Sequence, residues 1–306
     1  MEFLYVLEEL RTPWMDAVVS ALTHLGGETV FLIAALTVFW CLDKRQGYYL
    51  LRVGFLGTLV NQFLKITCRI PRPWVRDPHF TIVESARAEA TGYSFPSGHS
   101  TSSVGTFGVI ATEGKKLWIR LCAAVLCFLI PLSRLYLGVH TPADVLVGSA
   151  ISLFFIIVLR PVIYREEGRR MPMLLGLMLV LSTAFLLYME LNPFPADVDA
   201  ANLLSARKNS YTLLGALGGM IAVYYADRKL DFSTEGVWYV QVLKTALGLG
   251  LTLAVKEGLK LSLEALFGTH LALRAIRYFL VVVFAGILWP MTFPWFQKLG
   301  RKDEAK

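Results

Sequence analysis

Residues 117–144 read LWIRLCAAVLCFLIPLSRLYLGVHTPAD, and this stretch decides the class of fold. From Leu117 to Ser133 it is apolar apart from Arg120, and as a helix it approaches the roughly 20 residues a bilayer demands. The run ends on Ser133-Arg134. His140 follows, then Thr141-Pro142, the pattern of a helix N-cap with proline at the first helical position. Asp144 falls in the first turn of the next apolar run. Charge is therefore kept to the ends of long apolar helices, the arrangement of a protein that lives in a membrane.

The rest of the chain agrees with this reading. Of its 306 residues 55% are hydrophobic and only 17% charged, against about 25% in soluble proteins, and the mean hydropathy is +0.55. Nine spans are expected, centred near 28–42, 46–64, 99–113, 117–133, 143–163, 172–190, 211–226, 238–256 and 278–296, giving an all-α polytopic transmembrane bundle. The third, from Ser100 to Thr112, is rich in Ser, Thr and Gly and is expected to pack inside the bundle. Residues 1–27 are expected to form interfacial amphipathic helices rather than a signal peptide: Phe3, Leu4, Leu7 and Leu10 recur at helical spacing, Thr12-Pro13 reads as a second helix start, and Gly26-Gly27 breaks it. Residues 28–164 form the core that carries the chemistry, and 165–306 add further transmembrane helices. The loop 191–210, with Asn192-Pro193-Phe194-Pro195, reads as a connection. Cys41, Cys68, Cys122 and Cys127 match neither a metal site nor a disulfide framework and read as packing residues.

Loop charge orients the bundle. If loops alternate sides, one side holds Lys44, Arg45, Lys115, Lys116, Arg120, Arg160, Arg165, Arg169, Arg170, Arg228, Lys229, Lys298, Arg301, Lys302 and Lys306. Such an excess marks the cytoplasmic side. The net charge of +7 is largely this signal; no basic soluble face suggests a nucleic-acid partner.

Three strings lie on the opposite side: Lys65-(six residues)-Arg72-Pro73, Pro96-Ser97-Gly98-His99, and Ser133-Arg134-(five residues)-His140-(three residues)-Asp144. Each taken alone has a bland reading: snorkelling by Lys65, a capped helix start at Ser97, a capping Asp144. Together they assemble three cations, two histidines and a carboxylate. Pro71 and Pro73 bracket Arg72, which suits a guanidinium held for bidentate phosphate capture. Ser97 and Gly98 stand at a helix N-terminus, a ready anion site. Asp144 is close enough to His140 to fix its tautomer and leave the other ring nitrogen free as a nucleophile.

At these positions the chain resembles the type-2 phosphatidic acid phosphatase family, which includes glucose-6-phosphatases, sphingosine-phosphate phosphatases and vanadium haloperoxidases. The resemblance covers about residues 20–160. It implies that His140 attacks phosphorus to give a phosphohistidine, that Asp144 orients His140, and that His99 protonates the leaving alkoxide and then activates water. It implies further that Lys65, Arg72, Arg134, Ser97 and Gly98 hold the phosphate oxygens, with fixed cations in place of a metal ion and no cofactor. The expected substrate is a lipid phosphate monoester or polyprenyl diphosphate, reached from the bilayer at the periplasmic or exterior face of a bacterial plasma membrane. The rival within the family is a soluble sugar phosphate, since nine spans are similar to the glucose-6-phosphatase layout. The rival from another class is an anion or lipid transporter, which would be expected to show paired repeats and helices broken at the midplane. Trp74 and Tyr93 are read as interfacial aromatics. Lys260, which follows a Gly-rich apolar run as Lys65 does, lacks an arginine-proline partner and is read as ordinary helix composition.

Overall fold

In a computed structural model, which describes residues 1–164, 170–230 and 232–299, all regular structure among the described residues is helical. The basic residues Arg165, Arg169, Arg301, Lys302 and Lys306 of the loop-charge reading lie outside them. In chain order the helices are α1 Glu2–Glu9, α2 Pro13–His24, α3 Glu28–Cys41, α4 Lys44–Cys68, the single turn α5 Pro73–Arg76, α6 Gly98–Glu113, α7 Leu117–Tyr136, α8 Pro142–Tyr164, α9 Arg170–Leu191, α10 Ala200–Leu230, α11 Trp238–Phe267, α12 Ala272–Val283 and α13 Phe293–Leu299. A wide turn over Phe284–Leu288 carries α12 on towards α13.

Each of the nine expected spans falls on a helix. Five helices are long and apolar enough to cross a membrane: α7, α8, α9, α11 and the run Ala272–Leu299; α2 and α3, bent by 44°, make a sixth as one broken span. The remaining shortfall has physical causes. At 16 residues α6 is short, and α4 and α10 dilute their apolar runs with charged and amide side chains such as Arg52, Asn61, Arg207 and Asp227.

The chain divides into two compact units. The first comprises Met1–Ala35, Tyr48–Glu166 and Phe194–Ala206. Within it α6 packs against α7 and α8, burying Ser100, Thr101, Ser103 and Thr106. Hydroxyls bond both ways between α6 and α8: Thr101 Oγ1 of α6 donates to Gly148 O (3.1 Å), and Ser152 Oγ of α8 donates to Thr101 O (2.5 Å). Such inter-helix bonds explain how so polar a helix is buried between its neighbours. The approach is close: a Cβ on Gly148 would lie 2.5 Å from Ser97 O, so only glycine fits.

Both N-terminal helices pack on α7 through Leu4, Tyr5 and Leu7 and through Met15 and Val19, while Phe3, Val6, Trp14 and Val18 stay exposed. One buried edge and one exposed apolar edge suit helices lying at an interface. Thr12 occupies the N-cap position of α2 with extended backbone, yet its hydroxyl makes no cap bond. Two of the four cysteines depart from the packing reading, since Cys68 and Cys122 are exposed.

The second unit comprises Leu36–Gly47, Glu167–Pro193 and Arg207–Lys306. Its core is aromatic: Trp289 packs edge-on against Trp40, Phe293 and Phe296, and Trp40 Nε1 donates to Ala285 O (2.9 Å). That bond satisfies the indole N–H, which would otherwise be costly to bury.

Candidate active site

All three sequence strings meet in the first unit. The turn after α7 is made by Gly138 at φ +78°, where a side chain would also collide with Arg11 and Phe80. The turn aims His140 inward, leaving it 2% exposed. Thr141 and Asp144 then form a reciprocal cap on α8: Thr141 N donates to Asp144 Oδ2 (2.7 Å) and Asp144 N to Thr141 Oγ1 (3.4 Å). Asp144 thus serves as a cap and as a neighbour of His140 at once.

The tautomer of His140 follows from its neighbours. Arg72 Nη1 lies 2.9 Å from His140 Nε2. A guanidinium can only donate, so Nε2 accepts and carries the lone pair. Nδ1 then bears the proton and faces Asp144 Oδ2 at a long 3.4 Å. Burial, then Arg72, Lys65 and Arg134, hold the imidazole well below its ordinary range, so it is neutral at physiological pH.

The cations are held in different ways. Arg72 is buried, and besides His140 it donates to Gly92 O (3.0 Å), Val139 O (2.9 Å) and Thr91 O (2.7 Å). Pro71 and Pro73 bracket it, and Trp74 lies against its guanidinium, 5.8 Å from Cζ to ring centroid. Trp74 is therefore part of this loop's packing. Lys65 Nζ donates to Tyr93 O (2.6 Å). Arg134 is fully buried and spends Nη1 on Thr23 Oγ1 (2.9 Å); among the described residues its Nε and Nη2 have no partners.

Ser97 caps α6, its Oγ accepting from Ser100 N (3.2 Å), and Gly98 opens the helix. Two side chains that the sequence did not single out complete this corner. Ser94 Oγ donates to Asp144 Oδ2 (2.5 Å), and Asn61 Nδ2 donates to Pro96 O and Thr101 Oγ1, tying α4 to the loop before α6.

His99 is reached through a chain of side chains that no motif announces. His24 Nδ1 donates to Glu89 Oε1 (2.7 Å), and His99 Nε2 donates to Glu89 Oε2 (3.0 Å). Side-chain exposure falls along it, from 59% at His24 to 36% at Glu89 and 14% at His99. Burial raises the Glu89 carboxyl, but the two histidines outweigh it and hold the group below its ordinary range. No periodicity joins residue 24 of a helix to residue 89 of an irregular loop. The site thus offers a buried, neutral, oriented imidazole, a second imidazole backed by a carboxylate, and three cations.

Residues 46–167 match the PAP2 superfamily, and residues 211–302 match the transmembrane extension of PAP2 superfamily phosphatases. Phosphatidylglycerophosphatase B of Bacillus subtilis (strain 168) is 32% identical over 164 residues, covering 48% of this chain and 76% of that protein. A probable sphingosine-1-phosphate phosphatase of Dictyostelium discoideum is 28% identical over 160 residues, 48% of this chain and 38% of that protein. The crystal structure of a transmembrane PAP2-type phosphatidylglycerolphosphate phosphatase from Bacillus subtilis aligns over 54% of this chain and 85% of its own, at 27% identity and a TM-score of 0.44.

Proposed function

This chain belongs to the PAP2 superfamily, and on that premise we propose that it cleaves phosphate from a membrane lipid through a phosphohistidine. It is a membrane-embedded member of a family of lipid phosphatases. The observation that carries the mechanism is the pair of contacts on His140, with Arg72 on Nε2 and Asp144 facing Nδ1.

In the proposed reaction the phosphate enters among Lys65, Arg72 and Arg134, with Ser97 and the Gly98 amide on its remaining oxygens. A phosphate oxygen takes over the Arg72 N–H that rests on His140, freeing the Nε2 lone pair. Nε2 attacks phosphorus, the P–O bond to the lipid breaks, and His99 gives its proton to the departing alkoxide. Asp144 stabilises the charge that develops on His140. Water then loses a proton to His99 and attacks phosphorus; the P–N bond breaks and inorganic phosphate leaves. Positioning and charge stabilisation supply most of the acceleration in such transfers.

All nine helices that match the expected spans are proposed to cross the bilayer, with the site at the periplasmic or exterior face of a bacterial plasma membrane. The proposed division is a core over 28–164, interfacial helices before it and an extension after it. The relatives point to phosphatidylglycerophosphate and sphingosine phosphate as lipid monoesters, with polyprenyl diphosphate beside them. Phosphate release is to be measured on intact and permeabilised cells expressing the chain, with short-chain forms of these lipids and with glucose 6-phosphate. Lipid substrates should be hydrolysed equally by both preparations and well above the sugar. Activity seen only after permeabilisation would place the site on the cytoplasmic side, and a preference for the sugar would overturn the lipid reading.

Glu89 is proposed to position His99 and offset the three cations around its imidazolium. Glu89→Gln is expected to lower kcat on a lipid alkoxide by about 100-fold, the scale of general-acid catalysis. The pre-steady-state burst from p-nitrophenyl phosphate should change only a few-fold, because that phenolate departs without a proton. Equal losses on both substrates would mean that Glu89 is merely structural.

A further inference from the structure

A second basic constellation lies in the extension, in a part of the chain to which the catalytic reading gives no role. A cavity of about 320 Å³ is lined by Lys208 of α10, Lys260 and Glu264 of α11, His270 of the connection, and Arg274 and Arg277 of α12. Four permanent cations face one carboxylate. Arg277 is 6% exposed, and among the described residues its buried Nε has no hydrogen-bond partner. Arg274 spends Nε on Thr212 Oγ1 (3.3 Å), which leaves both of its Nη groups. Among the described residues none of the four cations makes an ion pair.

Arg277 lies over the Tyr278 ring, 5.0 Å from Cζ to centroid, but among the described residues no anion pairs with it. Bringing an arginine so far out of water is costly, and a fold keeps such a group where an anion can pair with it. Two guanidinium forks with two ammonium groups match a phosphate, whose oxygens accept bidentate pairs. The surroundings indicate what carries that phosphate. Leu261, Leu266, Phe267, Ile276 and Phe279 on the same helices are exposed, so the basic cavity adjoins an apolar skirt suited to acyl chains. Lys260, which alone reads as ordinary composition, is one of the four cations.

We propose that this cavity is a binding site for the phosphate of an anionic lipid headgroup. The site does not depend on the catalytic reading, because none of its residues takes part in that reaction.

The test uses the full chain in dodecyl maltoside with Arg134→Gln to weaken the catalytic phosphate site. Dioleoyl phosphatidylglycerol, dioleoyl phosphatidylcholine and inorganic phosphate are titrated separately, with binding read by native mass spectrometry and calorimetry. Phosphatidylglycerol should bind, and Arg277→Gln should weaken it about tenfold or more, the worth of a charged hydrogen bond. Lys260→Gln, an exposed change that spares the fold, should weaken it a few-fold. Phosphatidylcholine should bind at least tenfold less well. Phosphatidylglycerol affinity unchanged by both variants, or matched by phosphatidylcholine, would overturn the site. Inorganic phosphate binding as tightly as phosphatidylglycerol would overturn the lipid assignment and leave a free-phosphate site.

Discussion

His140→Ala is expected to reduce phosphate release from a lipid monoester by about 10⁴-fold or more, the scale of removing a covalent nucleophile. Wild-type protein quenched during turnover of a ³²P-labelled substrate should carry an acid-labile, alkali-stable label, the behaviour of a phosphorus–nitrogen bond; the variant should carry none. Substrate affinity should fall far less than turnover, because Lys65, Arg72 and Arg134 remain. The geometry gives the reason for so large an effect. His99 has a separate task, since its Nε2 is held against Glu89 at 3.0 Å and its other ring nitrogen is the one left to exchange the proton, while the Nε2 of His140 is the atom aligned with Arg72. Near-normal turnover in the alanine variant, or an alkali-labile label, would move the nucleophile elsewhere. The same contacts set the pH dependence. The nucleophile must be unprotonated, and burial with three nearby cations keeps His140 well below the ordinary histidine range. Protonation of His140 therefore removes activity only well below pH 6.5, and falling pH should spare kcat/KM through the range where an exposed histidine titrates. An acid limb of kcat/KM centred near pH 6.5 in the wild-type protein would contradict this assignment; in Arg72→Gln, which loses one of the three cations, the limb should move up.

The membrane helices were legible because apolar runs and charged ends follow directly from the bilayer's demands. So was the grouping of Lys65, Arg72, His99, Arg134, His140 and Asp144, since each stands at the end of such a run. At two of the expected phosphate-holding residues the contacts add to the sequence reading. Ser97 is a cap whose hydroxyl is engaged by Ser100, so its proposed hold on phosphate must share that atom with the helix. Arg72 is pinned as expected, but by the carbonyls of Thr91, Gly92 and Val139 as much as by its flanking prolines. What stayed hidden was contact between segments far apart in the chain. Thr23 of α2, Asn61 of α4, and Glu89 and Ser94 of the loop before α6 belong to three different segments, and their side chains share no periodic signature. Lys208, Lys260, Arg274 and Arg277 are spread over three helices, so their convergence follows from packing alone.

Arg134 shows how such a site trades stability for chemistry. Arg134→Met is expected to lower kcat/KM by about 100- to 1000-fold, the scale of losing one fixed donor to transition-state charge, and at the same time to raise the protein's melting temperature in detergent. The sign of the second effect follows from the contacts. Arg134 is 0% exposed, and Nε and Nη2 have no partners, so folding removes these donors from water without replacing their hydrogen bonds. Each such group costs roughly 1–3 kcal/mol. The methionine keeps much of the volume and removes that cost, and against this stands only the loss of the bond to Thr23 Oγ1, worth about 1 kcal/mol. Thr23→Val, which leaves the guanidinium in place and strands Nη1 beside the other two donors, should lower the melting temperature. Arg72→Met, by contrast, should destabilise, because it strands the carbonyls of Thr91, Gly92 and Val139 without their donor. If Arg134→Met melted lower than wild type while Thr23→Val did not, the unpartnered donors would be satisfied in solution and Arg134 would be a structural strut. If it melted higher and turnover collapsed, the buried charge would be one the fold tolerates because a phosphate completes it.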